Sequence, residues 1–170
     1  IKENLVFLER MKYEPGTDNL LAGLFGLHAS MTLSDQTLDR CREAAPAEIG
    51  FHIHLAEDKS DQTDSLTKYG VRVTERLNKH GILGDRTVLV HGVHLSEEEI
   101  GIITETKSWL THQPRSNMNN AVGLPDVERL INAGISVCLG NDELSNAMWG
   151  EWKNLYLAHK LNKLTPTAMI

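Results

Sequence analysis

The sequence predicts an α/β fold in which parallel strands alternate with helices and polar residues gather at one rim of the sheet, as in a TIM barrel. Apolar runs alternate with helical patterns along the 170 residues, without a low-complexity linker. Three of these runs end in a residue able to bind a metal, namely His54, His91 and Asp142. With 41% hydrophobic residues, the chain is long enough for one sizeable core and too short for two. We therefore expect residues 1–170 to form one unit.

The first predicted elements are a helix, a strand and a second helix. Residues 1–11 have apolar positions typical of the end of a helix, which a Pro-Gly pair then breaks. Residues 20–29 are an apolar run that predicts a buried strand. Ser34 is placed to cap a helix over residues 35–45.

The middle of the chain continues the alternation. Residues 50–56 predict the second strand and residues 86–93 the third. Between them, the apolar positions of residues 66–77 follow helical spacing, and Gly81 is placed to end that helix.

The last part of the chain predicts two further helices and two short strands. Ser96 and Glu99 form a capping-box pattern for a helix over residues 97–106, and residues 108–112 are strand-like. Pro125 begins the next helix and Gly134 ends it, before an apolar strand over residues 135–139. Five strands are too few to close a barrel, which needs eight. The prediction is thus a partial (β/α)8 barrel of about five parallel strands with interleaved helices, taken from a longer protein.

Composition excludes several classes of function. The net charge of −6, the pI near 5.7 and the dispersed Lys and Arg residues argue against a nucleic-acid-binding surface. There is no apolar stretch of the ~20 residues that a membrane span needs, and no secretory leader is recognisable. We expect a cytoplasmic protein without a membrane partner. Cys41 and Cys138 lack the spacing of a disulfide framework or a thiolate metal site, so both are expected in the core.

The segment Phe51–Glu57 carries the strongest chemical signal. His52 and His54 point to one face of a strand, and Glu57 follows in the loop above it. A single histidine at a strand end is more often a hydrogen-bonded structural residue than a ligand. The recurrence of such residues at the ends of three strands favours a metal site, and imidazole and carboxylate ligands suit Zn²⁺ or Fe²⁺.

Four ordered motifs then resemble the C-terminal half of the amidohydrolase superfamily, and more narrowly the Atz/Trz-type aminohydrolases and chlorohydrolases, a group that includes guanine deaminases. The motifs are His54-Leu55-Ala56-Glu57, the isolated His91, His112-Gln113-Pro114-Arg115-Ser116-Asn117 and Gly140-Asn141-Asp142. The stretch Ser116–Gly123 is most similar to the SsnA-like aminohydrolases. The family's usual Gly after the aspartate is Glu143 here, which puts substrate selectivity in question.

The resemblance implies that the five strands are the fourth to eighth of the barrel. It implies that His54 and Asp142 bind the metal, Asp142 also accepting a proton, and that Glu57 protonates the substrate's ring nitrogen or leaving group. His91 would hold and polarise the water or the oxyanion, and His28 would contact the substrate. A rival interpretation makes His52 and His54 the first-strand metal pair. We reject it, because too little chain would follow for seven more strand–helix units.

Other positions are expected to have structural roles. We expect His112, Ser116 and Asn117 to form a loop, His94 and His159 to be surface or packing residues, and the tryptophans of the last helix to pack against the barrel; these are Trp149 and Trp152.

Together, the residues and the resemblance predict a metal-dependent hydrolase that uses activated water to cleave C–N bonds of a cyclic amidine or N-heterocycle, such as a nucleobase. Its partners would be a small-molecule substrate and, in a homo-oligomer, further copies of itself. Two alternatives stay open at this point: a non-catalytic metal-binding module, and a structural fragment whose histidines never meet a metal.

Overall fold

The computed structural model describes residues 1–13, 21–144 and 146–169. Helices and strands alternate along this part of the chain, and a 3₁₀ turn follows the first strand. In chain order the elements are α1 (Lys2–Tyr13), β1 (Phe25–Ala29), the 3₁₀ turn (Ser30–Thr32), α2 (Asp35–Ala44), β2 (Phe51–Leu55), α3 (Lys59–Tyr69), α4 (Val73–Lys79), β3 (Val88–His91), α5 (Glu97–Thr106), β4 (Trp109–His112), α6 (Pro114–Asn119), α7 (Val127–Asn132), β5 (Val137–Leu139) and α8 (Met148–Lys163).

The five strands form one parallel sheet in the order β1-β2-β3-β4-β5. Each strand pairs with the next one along the chain, and a parallel pair requires a crossover, which here always contains a helix. This confirms the predicted partial (β/α)8 barrel with about five parallel strands and interleaved helices. All five carboxyl ends consequently lie along one edge of the sheet.

The register separates the strand residues into two faces. His52, Val88 and Trp109 lie side by side on one face of the sheet. Two residues further along each strand, the same face carries a second row, which consists of His54, Val90, Thr111 and Cys138. His52, Trp109 and Cys138 are exposed on this face. Cys138 is thus not a core residue, contrary to expectation, because its strand turns this position away from the helices.

The hydrophobic core lies between the opposite face of the sheet and the helices. Ile53, Leu89 and Leu110 point to that face and are fully buried, and the rings of Phe25 and Phe51 pack with centroids 5.5 Å apart. Burial of each such side chain contributes about 1.5–3 kcal/mol. The sheet is thus anchored from the helix side, which leaves its carboxyl edge free to carry polar groups.

Two predicted boundaries were wrong. The single helix expected over residues 66–77 is divided between α3 and α4, because Gly70 adopts a left-handed conformation (φ +73°) that ends α3. The first strand begins only at Phe25; residue 20 of the predicted run lies outside the described residues, and residues 21–24 are not in a strand.

The predicted caps of α2 and α5 are confirmed, whereas the helix expected to begin at Pro125 begins at Val127, with Asp126 as its cap. Ser34 accepts a hydrogen bond from the Thr37 amide, and Ser96 and Glu99 form the reciprocal capping box of α5. No helix in the described part of the chain is long and apolar enough to cross a membrane.

Candidate functional site

The residues predicted to carry chemistry lie at the carboxyl edge of the sheet, next to unusual backbone conformations. Ala56, His91 and Asp142 all have positive φ angles, of 48°, 76° and 49°. For residues other than glycine this conformation is strained, and such strain clusters at functional sites. Each of the three turns the chain at or within three residues of the end of a strand, where side chains from neighbouring strands can meet.

The turn at Ala56, which presents Glu57, is held by hydrogen bonds from two sides. The Ala56 amide donates to Asp61 Oδ2 (2.9 Å), and the Ala56 carbonyl accepts from the amides of Val93 and His94. Asp61 is itself buried. Burial raises the pKa of its carboxyl group to about 6, although the hydrogen bond from the Ala56 amide acts in the opposite direction.

His54 is held in one tautomer. Its Nδ1 lies 2.7 Å from the backbone carbonyl of His28. A carbonyl oxygen only accepts, so Nδ1 carries the proton and Nε2 keeps its lone pair. Histidines that bind metals typically have this arrangement, in which one ring nitrogen donates to a carbonyl and the other is free to coordinate.

His91 is fully buried and is oriented in the same way. Its Nδ1 donates to Asn117 Oδ1 (2.8 Å), its backbone amide donates to Gln113 Oε1 (3.1 Å), and its ring stacks on that of His54 with centroids 5.4 Å apart. Nε2 therefore has a free lone pair and no hydrogen-bond partner among the described residues. A buried polar atom without a partner indicates a water, an ion or a substrate atom at that place.

Two carboxylates face this nitrogen. Glu57 Oε2 lies 3.5 Å and Asp142 Oδ2 lies 3.8 Å from His91 Nε2. One potential ligand atom from each of the three residues lies within 4.8 Å of the other two, so Glu57, His91 and Asp142 form a group that is able to hold a metal ion. The residues present thus fit a divalent metal at this edge. His54, the predicted ligand, is not one of the three, but its ring stacks on that of His91.

The segment after β4 is a short helix and not the expected loop. Ser116 Oγ donates to Asp142 Oδ2 (2.6 Å), Asn117 accepts from His91, and Asn120 Nδ2 donates to Glu57 Oε1 (3.2 Å). The six-residue helix α6, together with Asn120 directly after it, thus contacts all three members of the group. The sequence did contain a signal for it, because Pro114, two residues after the strand-end His112, is typical of the first residue of a helix.

His28 lies beside the group. It is exposed, its Nδ1 lies 3.1 Å from Thr32 Oγ1, and its ring meets that of His54 edge to face at 5.3 Å. His52 is two residues before His54 on the same face of β2, further from the carboxyl edge, and it does not belong to the ligand-capable group.

His112 is buried away from the carboxylates and pairs with His159 on α8. Their Nε2 atoms are 3.1 Å apart, and burial together with the neighbouring imidazoles of His159 and His91 lowers the pKa of His112 to about 3. His112 is therefore uncharged near neutral pH. His94 has a packing role, as expected, since its Nε2 donates to the Val122 carbonyl.

The tryptophans of α8 do not pack as expected. Trp149 is 85% exposed and Trp152 is 65% exposed, and the two rings contact each other with centroids 6.2 Å apart. No described residue covers this side of α8, which accounts for the difference.

A profile of the amidohydrolase family matches residues 6–170. The chain belongs to the amidohydrolase family. Among its relatives are the 5-methylthioadenosine/S-adenosylhomocysteine deaminase of Syntrophomonas wolfei, 35% identical over 85% of this chain and 35% of that protein, and the 5'-deoxyadenosine deaminase of Methanopyrus kandleri, 32% identical over 90% of this chain and 37% of that protein. This amidohydrolase chain therefore spans little more than a third of the length of these relatives.

Solved amidohydrolase structures share the fold. An adenosine deaminase from Xanthomonas campestris with bound zinc superposes with a TM-score of 0.84 and 28% identity, covering 95% of this chain and 38% of that one. A guanine deaminase from C. acetobutylicum with bound guanine superposes with a TM-score of 0.83 at 23% identity, covering 98% of this chain and 42% of that one. The second likeness is evidence for the fold alone.

Proposed function

We propose that this chain forms strands four to eight of the catalytic barrel of a metal-dependent aminohydrolase, which hydrolyses a C–N bond of a cyclic amidine or N-heterocycle such as an aminopurine. The observation that carries the proposal is the buried His91 Nε2, which has no partner and faces two carboxylates at the carboxyl edge of parallel strands. Enzymes with this barrel place their chemistry at that edge. The names of the two relatives, a 5-methylthioadenosine/S-adenosylhomocysteine deaminase and a 5'-deoxyadenosine deaminase, support the reaction class.

Zinc is the metal we propose, held by His54 Nε2 and Asp142 together with ligands from strands that precede this chain. The fixed tautomer of His54 supports its role as a ligand, and the relative from Xanthomonas campestris binds zinc. Nitrogen and carboxylate ligands also suit Fe²⁺. When bound, such an ion lowers the pKa of a coordinated water towards neutrality and so supplies hydroxide.

The chain's own residues would then move the protons. Glu57 delivers a proton to the ring nitrogen or to the leaving amine, and Asp142 accepts the proton of the attacking water. His91 holds that water by accepting a hydrogen bond at Nε2, because its Nδ1 already carries the ring proton. In this protonation state His91 orients the nucleophile and does not donate to an oxyanion. His28, exposed beside His54, is positioned to contact the substrate.

Metal analysis combined with a substrate panel tests the function. The complete protein would be purified, its metal content measured, and ammonia release followed with 5'-deoxyadenosine, 5-methylthioadenosine, guanine and an aminotriazine. We expect ammonia from at least one of them, lost on chelation and restored by Zn²⁺. Stoichiometric metal without turnover on any of the four would instead favour a non-catalytic metal-binding module, and absence of metal would favour a structural role.

A further inference from the structure

A continuous line of hydrogen bonds joins the two carboxylates of the site through α6. Asn120 Nδ2 donates to Glu57 Oε1 (3.2 Å) and to Ser116 Oγ (3.4 Å), and Ser116 Oγ donates to Asp142 Oδ2 (2.6 Å). The donors balance, because an amide nitrogen has two protons and a hydroxyl accepts one hydrogen bond while it donates another. The line therefore holds both carboxylates from the side of α6.

The helix that carries this line is itself anchored. Arg115 donates from Nε to the fully buried Glu151 Oε1 of α8 at 2.5 Å, and its backbone amide donates to Glu151 Oε2. The Asn120 amide donates to the Ser116 carbonyl at 2.8 Å, which ends α6 at the point where the Asn120 side chain reaches Glu57. The backbone at Asn120 is consequently fixed, and Asn119 Nδ2 donates to the side-chain oxygen of the exposed Asn120 (3.2 Å), which leaves its Nδ2 turned towards Glu57 and Ser116.

The contact with Asn120 distinguishes the two oxygens of Glu57. Oε1 accepts the amide proton of Asn120, whereas Oε2 lies 3.5 Å from His91 Nε2, on the side where that nitrogen lacks a partner. A carboxyl oxygen that accepts a hydrogen bond from an amide behaves as the carbonyl-like oxygen, so the acidic proton belongs on the other one. Asn120 thus favours the form of Glu57 in which the transferable proton sits on Oε2.

We propose that Asn120 is a positioning residue that assigns the transferable proton of Glu57 to Oε2 and aims it at the substrate. This inference rests on the function proposed above. Without the amide, Glu57 can rotate and carry its proton on either oxygen. The chemical step then slows, while the binding of substrate and metal is retained.

A double-mutant cycle in the complete protein tests this role. Glu57→Gln, Asn120→Ala and the double variant would be compared with the wild type on whichever panel substrate the wild type deaminates, with metal content and thermal unfolding measured for each. We expect Asn120→Ala to lower kcat by about 10-fold with KM and metal content nearly unchanged. In the Glu57→Gln background the same change should lower kcat less than about 2-fold, because the two residues act as a unit.

A matched control and a second substitution make the result specific. Asn132→Ala removes an exposed asparagine from the end of α7, remote from the carboxylates, and should leave kcat unchanged. Asn120→Asp places a second carboxylate beside Glu57 without the amide donor and should lower kcat more than Asn120→Ala does.

Each outcome separates this inference from the proposed function. Suppose that the wild type turns over a substrate. If Asn120→Ala then leaves kcat unchanged, or lowers kcat by the same factor in the wild-type and Glu57→Gln backgrounds, the role of Asn120 is overturned while the function stands. If the wild type releases ammonia from no substrate of the panel, the proposed function fails and the role of Asn120 fails with it.

Discussion

Asp61 should make the stability of this protein fall as the pH rises from 4 to 7. Burial, with Asp64 and Glu99 nearby, raises the pKa of Asp61 from 3.8 to about 6 in the folded chain. Between these values the folded state binds more protons than the unfolded state, so the free energy of unfolding decreases with increasing pH. A shift of about two units, at about 1.4 kcal/mol per unit, corresponds to a loss of roughly 3 kcal/mol at pH 7.

The variant Asp61→Asn isolates this contribution. It keeps an oxygen that can accept from the Ala56 amide but cannot ionise, so the stability of the variant relative to the wild type should rise with pH. Because the unfolded aspartate is already more than half ionised at pH 4, the rise between pH 4 and pH 7 should be roughly 2.5 kcal/mol. The assay is urea unfolding of the complete protein and of the variant at half-unit pH steps. Asp85→Asn, at an exposed aspartate, serves as the control and should show no such trend. A stability difference for Asp61→Asn that is flat across this range, or that falls with pH, would refute the assigned burial cost.

Three further predictions concern the site. The 170-residue chain on its own should bind zinc weakly and show no hydrolase activity, because catalytic zinc sites use about three protein ligands; robust turnover by the isolated chain would contradict the assignment to strands four to eight. Glu57→Gln in the complete protein should retain its zinc, measured by atomic emission, and lower the chemical rate by about 10²-fold, whereas a parallel loss of metal would mean that Glu57 is a ligand. Asn117→Leu removes the acceptor that fixes the His91 tautomer and should lower kcat by about 10-fold or more, and an unchanged kcat would show that the contact has no role in turnover.

Much of the site was predictable from the sequence, because parallel strands place their carboxyl ends along one edge. His54, His91 and Asp142 each follow an apolar run, so their convergence followed from strand order alone. Glu57 was recognisable from its spacing after His54. The helices with strong caps, such as the one that Ser96 begins, were predictable for an equally local reason.

The role of α6 could not be predicted in this way. Its residues are mostly polar and too few to show a helical period, so Ser116 and Asn117 had the composition of a loop. Their function depends on contacts with three strands that are distant in sequence. The break at Gly70 was missed because a helical period was present where one helix was not. The apolar positions on both sides of Gly70 continue the same helical spacing, although α3 ends there and α4 begins three residues later.

The surface of α8 shows why burial in particular could not be predicted from the sequence. Apolar residues such as Trp149 normally predict burial, but burial depends on what covers the helix, and nothing in the described residues does so. The same holds for the open face of the sheet. Side chains there, such as His52 and Cys138, are exposed because no described residue covers them.

The position of the metal tests the proposed site most directly. A crystal structure of the complete protein loaded with Zn²⁺, with anomalous data collected at the zinc edge, would locate the ion independently of activity. We expect zinc to lie about 2.0–2.1 Å from His54 Nε2 and to be coordinated by Asp142, with Glu57 and His91 beside it and not bonded to it. Zinc coordinated by Glu57 and His91 in place of His54, or zinc away from the carboxyl edge of the sheet, would contradict this expectation.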